Sequence, residues 1–538
     1  METNIANNTY AAEGHSQPAN ESFLAKTAEE RSPLRQEPWA KPENAFKPEV
    51  SDFIFAIAAF VLGYLFSRWL LFTWRGWGVT VFTTAYLLAT TAYMIKKGAF
   101  QKNRAAFFWL AVTWLTGASF ALWGNAGFSG IRAMFLFCAA VYYVIIASGR
   151  AIMGKTGNFL LLDGIKSVII IPFRNLFNQY VSFSVLRKGS RRGKILPAML
   201  GVALALILAA IIIPMLERAD SGGFGEILGF LRRIIRIDFE ITIYMALAIP
   251  IAAYLYGLVS GAAHGKGTDI VKRESAERTV SALRIFQPAT VYTVLGVVCA
   301  IYLVFILSQI PYFFSAFTGA RPEGWLIYSE YARQGFFELC GIATINMIVL
   351  TIGNVTSKKL RKSSVMLKIF NISLAVITLA LIATAFSKMA LYIGAYGLTM
   401  PRLLPCVFML FLAVVFVALI VLQKQDFSIV RFALVLGSVM LCALCLSNPD
   451  ALVVRYNTDR YLKGTLPGYD VEILYRAGSA GVIPALEVYD TAKDKALKHE
   501  LDLYLSQQNG LSASRDDSRG HMTDLESYLA RERLREAR

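Results

Sequence analysis

The chain has 538 residues, 56% hydrophobic and 17% charged, with a net charge of +17. So little polar material cannot cover a soluble globule, and apolar runs of about 20 residues recur, each long enough to cross a bilayer core. Two-residue alternation is missing, which excludes an outer-membrane barrel; the positive charge is spread over short loops, which argues against a nucleic-acid partner.

Residues 1–50 carry Pro18, Pro33, Pro38, Pro42 and Pro48 and no apolar periodicity. They read as a disordered cytoplasmic N-terminal segment. A cleavable secretory signal is not expected, because the first apolar run starts only near Asp52. Residues 51–447 read as an all-α, polytopic transmembrane helical bundle. Eleven spans are expected, at about 52–72, 77–95, 105–124, 130–149, 195–216, 239–261, 288–310, 336–356, 366–386, 403–423 and 428–447. Trp69, Trp74 and Trp77 fall where an interfacial aromatic belt belongs.

Basic residues concentrate in alternate loops: Lys96 to Arg104, Arg150 to Lys194, Lys266 to Arg284, and Lys358 to Lys368. The positive-inside rule makes those loops cytoplasmic and puts the N-terminus inside. With an odd span count, the C-terminal extramembrane segment 448–538 is then outside. One span more or fewer would reverse that side. The expected location is the cytoplasmic (inner) membrane, with the lipid bilayer as the first partner.

Two segments read as helices lying on the membrane or packed as linkers. Residues 159–186 mix Leu160, Ile165, Ile169, Phe173 and Phe177 with Asp163, Lys166 and Arg174, and Pro172 is expected to bend them. Residues 224–236 space Ile227, Leu228, Leu231, Ile234 and Ile235 helically, with Glu226, Arg233 and Arg236 opposite.

The six cysteines lie in or at the ends of apolar runs, so no disulfide framework is expected. Cys442 and Cys445 have redox-motif spacing, but their apolar flanks favour packing. All four histidines lie outside apolar runs. No phosphate loop, zinc-protease motif or nucleophile elbow is present. No catalytic residue, metal or cofactor is therefore assigned.

Ionisable groups in spans are costly and mark candidate sites. Glu330 and Arg333 are three apart and able to pair on a helix, beside Tyr331. Glu338 opens the eighth span, and Asn346 follows two turns later on the same side. The loop Lys388 to Arg402 adds Tyr392, Tyr396 and Arg402. Together Glu330, Tyr331, Arg333, Glu338, Asn346, Tyr392, Tyr396 and Arg402 form the candidate cluster on one outer surface. Each also has a purely structural reading. Glu338 suits a helix N-terminus, and Asn346 an interhelical hydrogen bond.

Three segments carry a resemblance: Tyr331 to Leu339, Met389 to Arg402, and Asn448 to Asn457 followed by Arg460-Tyr461. Asp470 to Leu474 and Ile483 to Leu486 extend it. Together they resemble bacterial integral-membrane families known as domains of unknown function 4153 and 4173. Three residues before Pro484, where an acidic residue is usual in that pattern, this chain has Gly481. The resemblance implies a cell-envelope membrane protein and names no activity. Transport or flipping of an amphiphilic or ionic substrate is the leading expectation. An envelope sensor or scaffold with a protein partner is the alternative, and a membrane-embedded enzyme on lipid-linked substrate a third.

Overall fold

A computed structural model of the chain describes residues 46–124, 127–186, 239–267, 273–318, 328–358, 361–516 and 523–537, with single positions between 201 and 216. Over 309–318, 328–335 and 511–516 it describes the backbone only. The described fold is all-α. Among the described residues, ten helices are long and apolar enough to cross a membrane. They are α1 Val50–Trp69, α2 Trp77–Lys96, α3 Arg104–Leu122, α4 Ser129–Ala147, α5 Phe239–His264, α6 Pro288–Thr318, α7 Tyr328–Thr356, α8 Val365–Tyr396, α9 Met400–Leu422 and α10 Ile429–Leu446. Each answers one expected span. The eleventh expected span, 195–216, falls almost wholly outside the described residues. The expected surface helix at 224–236 and the N-terminal stretch 1–45 lie outside them too.

Two cores organise the spans. Phe55, Tyr86, Trp109, Tyr143 and Tyr256 belong to a core shared by α1 to α5. Leu295, Phe336, Leu374, Leu381 and Phe416 belong to a second core, of α6 to α9. Helix α10 packs on both α3 and α9 and so bridges the two groups. In lipid, apolar burial does not choose helix partners, so close approach of small residues must. Helices α1 and α5 run antiparallel with Ala56, Ala59, Ala248 and Ala252 buried between them. A Cβ on Gly63 would come within 2.5 Å of the Ala248 carbonyl oxygen.

The basic loops gather at one end. There Asp52, buried, accepts from Tyr93 Oη at 2.5 Å, Lys97 Nζ at 2.8 Å and Glu49 N at 2.7 Å. His264 Nε2 stands 3.6 Å away. This network ties the ends of α1, α2 and α5. Arg361 reaches Asp426 at 3.1 Å, and Arg431 donates to the Thr156 carbonyl at 2.7 Å, joining the second group of helices to the same end.

Residues 160–186 also lie at that end, with their polarity turned inward. Asp163, Lys166, Ser167, Asn175, Gln179 and Ser182 are buried. Leu161, Ile165, Ile169, Phe173 and Phe177, spaced four apart, are exposed. Asn175 Nδ2 donates to the Lys266 carbonyl, Gln179 Nε2 to that of Ala56, and Ser182 bonds Tyr256. An apolar outer stripe over a hydrogen-bonded polar underside suits an element sunk in the lipid layer. Pro172 lies within a helical run that continues to Arg174. It cannot bond the Val168 carbonyl four residues back, and a π-helical turn, Lys166–Ile170, precedes it. The Tyr254 hydroxyl takes up that carbonyl at 3.0 Å.

The tail folds into α11 Pro449–Leu462, α12 Glu472–Ala477, α13 Val482–Thr491, α14 Lys495–Asp516 and α15 Leu525–Glu536. They enclose their own small core around Leu474, Val482, Val488, Leu501 and Tyr504. Gly481, the departure from the family pattern, has a steric reason here. A Cβ there would lie 2.6 Å from the Tyr504 hydroxyl, which donates to the Gly478 carbonyl.

Candidate functional site

The end opposite the basic loops holds the site. Its frame is the C-terminus of α8, whose last carbonyls need donors. Arg460 supplies them to Ile393 and Gly394, at 3.2 and 2.7 Å. Arg402 supplies them to Tyr396 and Gly397, and lies over the Tyr392 ring at 4.2 Å. Two cations on a helix C-terminus also suit its dipole. Asn457 then clasps Leu398 with both halves of its amide, accepting from the backbone N–H at 2.8 Å and donating to the carbonyl at 2.6 Å. Gly397 has φ +79° and no room for a Cβ against Asn457 Oδ1. We expect Gly397→Ala to lower stability by roughly 1–3 kcal/mol. Thermal unfolding in detergent reads this directly, and a shift indistinguishable from zero would remove the clasp from the account.

Beside this joint, Trp123-Gly124 and Gly127-Phe128 are held by charged side chains. Arg132, fully buried, donates to the carbonyls of Ser119, Trp123 and Gly124 at 3.2, 3.1 and 3.3 Å and covers the Phe120 ring. Asp450, also buried, accepts from Gly127 N at 3.2 Å. Glu526 accepts from Gly124 N at 3.2 Å and from Asn448 Nδ2 at 2.5 Å. Asp524 caps α15 through Ser527 N at 2.8 Å. Burial pushes the Asp450 carboxyl up to about 6, although the Gly127 amide and Arg132 oppose it. Burial likewise pushes Glu526 up to about 7, against its bonds to Asn448 and Gly124, and nearby Asp524 and Asp450 add to the rise.

Two cavities flank these backbone segments. The more polar one, of about 430 Å³, has Gly127, Thr399, Asp450, Asp470 and Arg476 on its walls beside the apolar Met400, Pro401, Val453 and Ile473. An apolar crevice of about 540 Å³ has Phe128, Phe337, Leu404, Phe408, Met440 and Leu444. They share structure. Gly127 lines the first and Phe128 the second. Met400 and Pro401 line the first, while Leu404 and Pro405, one helical turn on, line the second. The crevice opens between the two groups of spans.

The residues singled out in the sequence fall into separate places. Tyr392, Tyr396 and Arg402 come together at the α8 cap, with the two rings 5.4 Å apart. Glu338 is exposed and acts electrostatically on Lys388. Its neighbours Phe337 and Cys340 line the crevice. Asn346 is buried in the second core and donates to Thr378 Oγ1 at 2.9 Å. Asn354 and Asn371 form a reciprocal amide pair between α7 and α8. The side chains of Glu330, Tyr331 and Arg333 lie outside the described residues. Sequence reasoning missed Arg132, Asp450, Asp524 and Glu526. The first had an available signal, a cation in the first turn of an apolar span. Cys442 and Cys445 are buried free thiols in α10.

Asp450, Asn457, Arg460 and Arg402, which build this joint, all come from the segments that carried the resemblance. Comparison with curated proteins and with solved structures returns no match. A family model does match, over residues 110–488, and that interval holds α4 to α12 and both cavities. The chain therefore belongs to the family described as domain of unknown function 4153.

Proposed function

We propose that this is a multi-pass protein of a bacterial cytoplasmic membrane, with its basic end inside, whose outward end binds an amphiphile and moves or flips it. The observation that carries this reading is adjacency. Neighbouring residues line a polar cavity and an apolar crevice: Gly127 beside Phe128, and Pro401 one turn of α9 before Pro405. Both volumes lie within the roughly 300–1,000 Å³ of ligand sites. A headgroup suits the first, with its carboxylates and guanidinium, and a hydrocarbon chain suits the second.

The test uses proteoliposomes containing a fluorescent phospholipid. Wild-type protein should equilibrate it between leaflets. Leu404→Trp, which fills the crevice, should remove most of that activity. Flipping by Leu404→Trp at the wild-type rate, or no flipping by wild type of any lipid offered, would end the transport reading. Orientation is checked separately. Thr465 is exposed on the tail and Lys102 is exposed at the basic end. Thr465→Cys is expected to react with an impermeant maleimide added outside cells, and Lys102→Cys only after permeabilisation, each compared with the parent protein. The reverse pattern would turn the molecule over.

A second reading, an envelope scaffold, is favoured by one observation. Leu525, Tyr528 and Leu529 are exposed together on α15. If Tyr528→Ser with Leu529→Ser abolishes cellular function while flipping persists, the scaffold reading replaces the first.

A further inference from the structure

The charges on the walls of the polar cavity bear on which headgroup it takes, a question that rests on the amphiphile reading of the same two cavities. Three charged side chains line the polar cavity: Asp450, Asp470 and Arg476. Asp450 is only 3% exposed, and its hydrogen bond among the described residues is from the Gly127 amide. Arg132 acts on it through charge alone, because its Nη1 and Nη2 donate to the carbonyls of Ser119, Trp123 and Gly124 and not to Asp450. A buried carboxylate in that position gains most from a cation that brings its own N–H donors. Arg476 offsets little of the negative field. It is exposed and pairs with Glu472 at 3.3 Å. Asp470 accepts the Glu472 amide through Oδ1 at 3.0 Å, which fixes its carboxylate at the cavity wall. The pocket is thus net acidic in a chain of charge +17.

We propose that the polar cavity selects an amphiphile whose headgroup carries a protonated primary amine, with the ammonium donating to Asp450 and Asp470. Arg476, at the exposed side, faces the anionic group of a zwitterionic headgroup. A wholly anionic headgroup would meet two carboxylates. A quaternary ammonium would bring charge without donors.

The experiment offers the full-length protein in detergent four lipids with identical acyl chains: phosphatidylethanolamine, its N-acetylated derivative, phosphatidylcholine and phosphatidylglycerol. Native mass spectrometry reads the bound lipid. Phosphatidylethanolamine should bind roughly 10- to 100-fold more tightly than the N-acetylated form, the weight of a charge-assisted hydrogen bond. Asp470→Asn, at an exposed position, should narrow that ratio, and Asp450→Asn should narrow it further. The comparison of lipids on the wild type needs no variant to fold. Equal binding of the amine and its acetylated form, or a preference for phosphatidylglycerol, overturns the headgroup assignment and leaves the amphiphile reading standing. No retained lipid of any kind overturns both. Soluble phosphoethanolamine should displace the lipid weakly; displacement at matched concentration would mark a soluble ligand and also overturn it.

Discussion

Arg132→Met should be the most damaging single substitution in the described bundle, costing roughly 3–5 kcal/mol, the range for removing one partner of a buried charge network. The side chain is fully buried at the start of α4, and methionine keeps an unbranched apolar stem but none of its donors. The carbonyls of Ser119, Trp123 and Gly124 lose a donor. Asp450, Asp524 and Glu526 lose the guanidinium that acts on all three. Arg132→Lys should recover only part, because a point charge on a flexible stem cannot fork across three carbonyls. Equilibrium unfolding in detergent measures the loss. Asp450→Asn placed on top of Arg132→Met should cost less than it does alone, since it removes a charge already stripped of its counterion. Strict additivity of the two, or a loss below about 1 kcal/mol for Arg132→Met, would show that the turn is held by packing instead.

The same residue explains how much of the molecule was legible beforehand. Ten span positions were readable because a bilayer imposes a length and hydrogen-bonds nothing, so each span declares itself locally. Gathering of the basic loops at one end followed from charge alone. Pro172 was readable as a disturbance of the helix, seen as the π turn Lys166–Ile170, because its ring and missing N–H act within one turn. What was not readable was partnership across distance. Asp450 and Glu526 are far from Gly124 and Gly127 in sequence, and their meeting depends on how the tail docks. Glu526 sits in a polar helix among Arg531, Glu532 and Arg533, where one buried acid looks like any surface charge. Tyr392, Tyr396 and Arg402 illustrate the same limit. Two tyrosines one turn apart near an arginine are compatible with a ligand or with a helix end, and the sequence does not show that Arg402 donates to the carbonyls of Tyr396 and Gly397. Residues 160–186 were readable as amphipathic, yet which face turns inward was not. That depends on donors and acceptors waiting on α1 and α5: the Ala56 carbonyl, the Tyr256 hydroxyl and the Lys266 carbonyl.

Docking of the tail should weaken as pH rises from 5 to 8, with Glu526 carrying most of the change. Its carboxyl is raised by burial from the ordinary 4.5 to about 7. Below about 4.5, folded and unfolded chains both hold the proton and the group adds no pH dependence. Between about 4.5 and 7 the unfolded chain releases it while the folded chain keeps it, so stability falls as pH rises. Above about 7 the loss is complete, on the order of 2–3 kcal/mol for one such group that is mostly buried. Asp450, raised from 3.8 to about 6, acts in the same direction over a lower window. The groups facing Glu526 are the Asn448 amide, the Gly124 N–H, Asp524, Asp450 and Arg132, with Tyr504 also within its field. None of them supplies a second cation to hold the carboxylate. Protease sensitivity of the 448–538 segment, followed against pH in intact membranes, should therefore rise between about pH 4.5 and 7 and level off above that. Glu526→Gln fixes the uncharged state and should flatten that rise. Its absolute stability also shifts, because an amide replaces one of two accepting oxygens with a donor, toward either Asn448 or Gly124. The slope is consequently the decisive reading and the level is not. An equally steep slope in Glu526→Gln would assign the pH dependence to Asp450 or to the membrane end of the bundle, and would return Glu526 to the role of a simple hydrogen-bond acceptor.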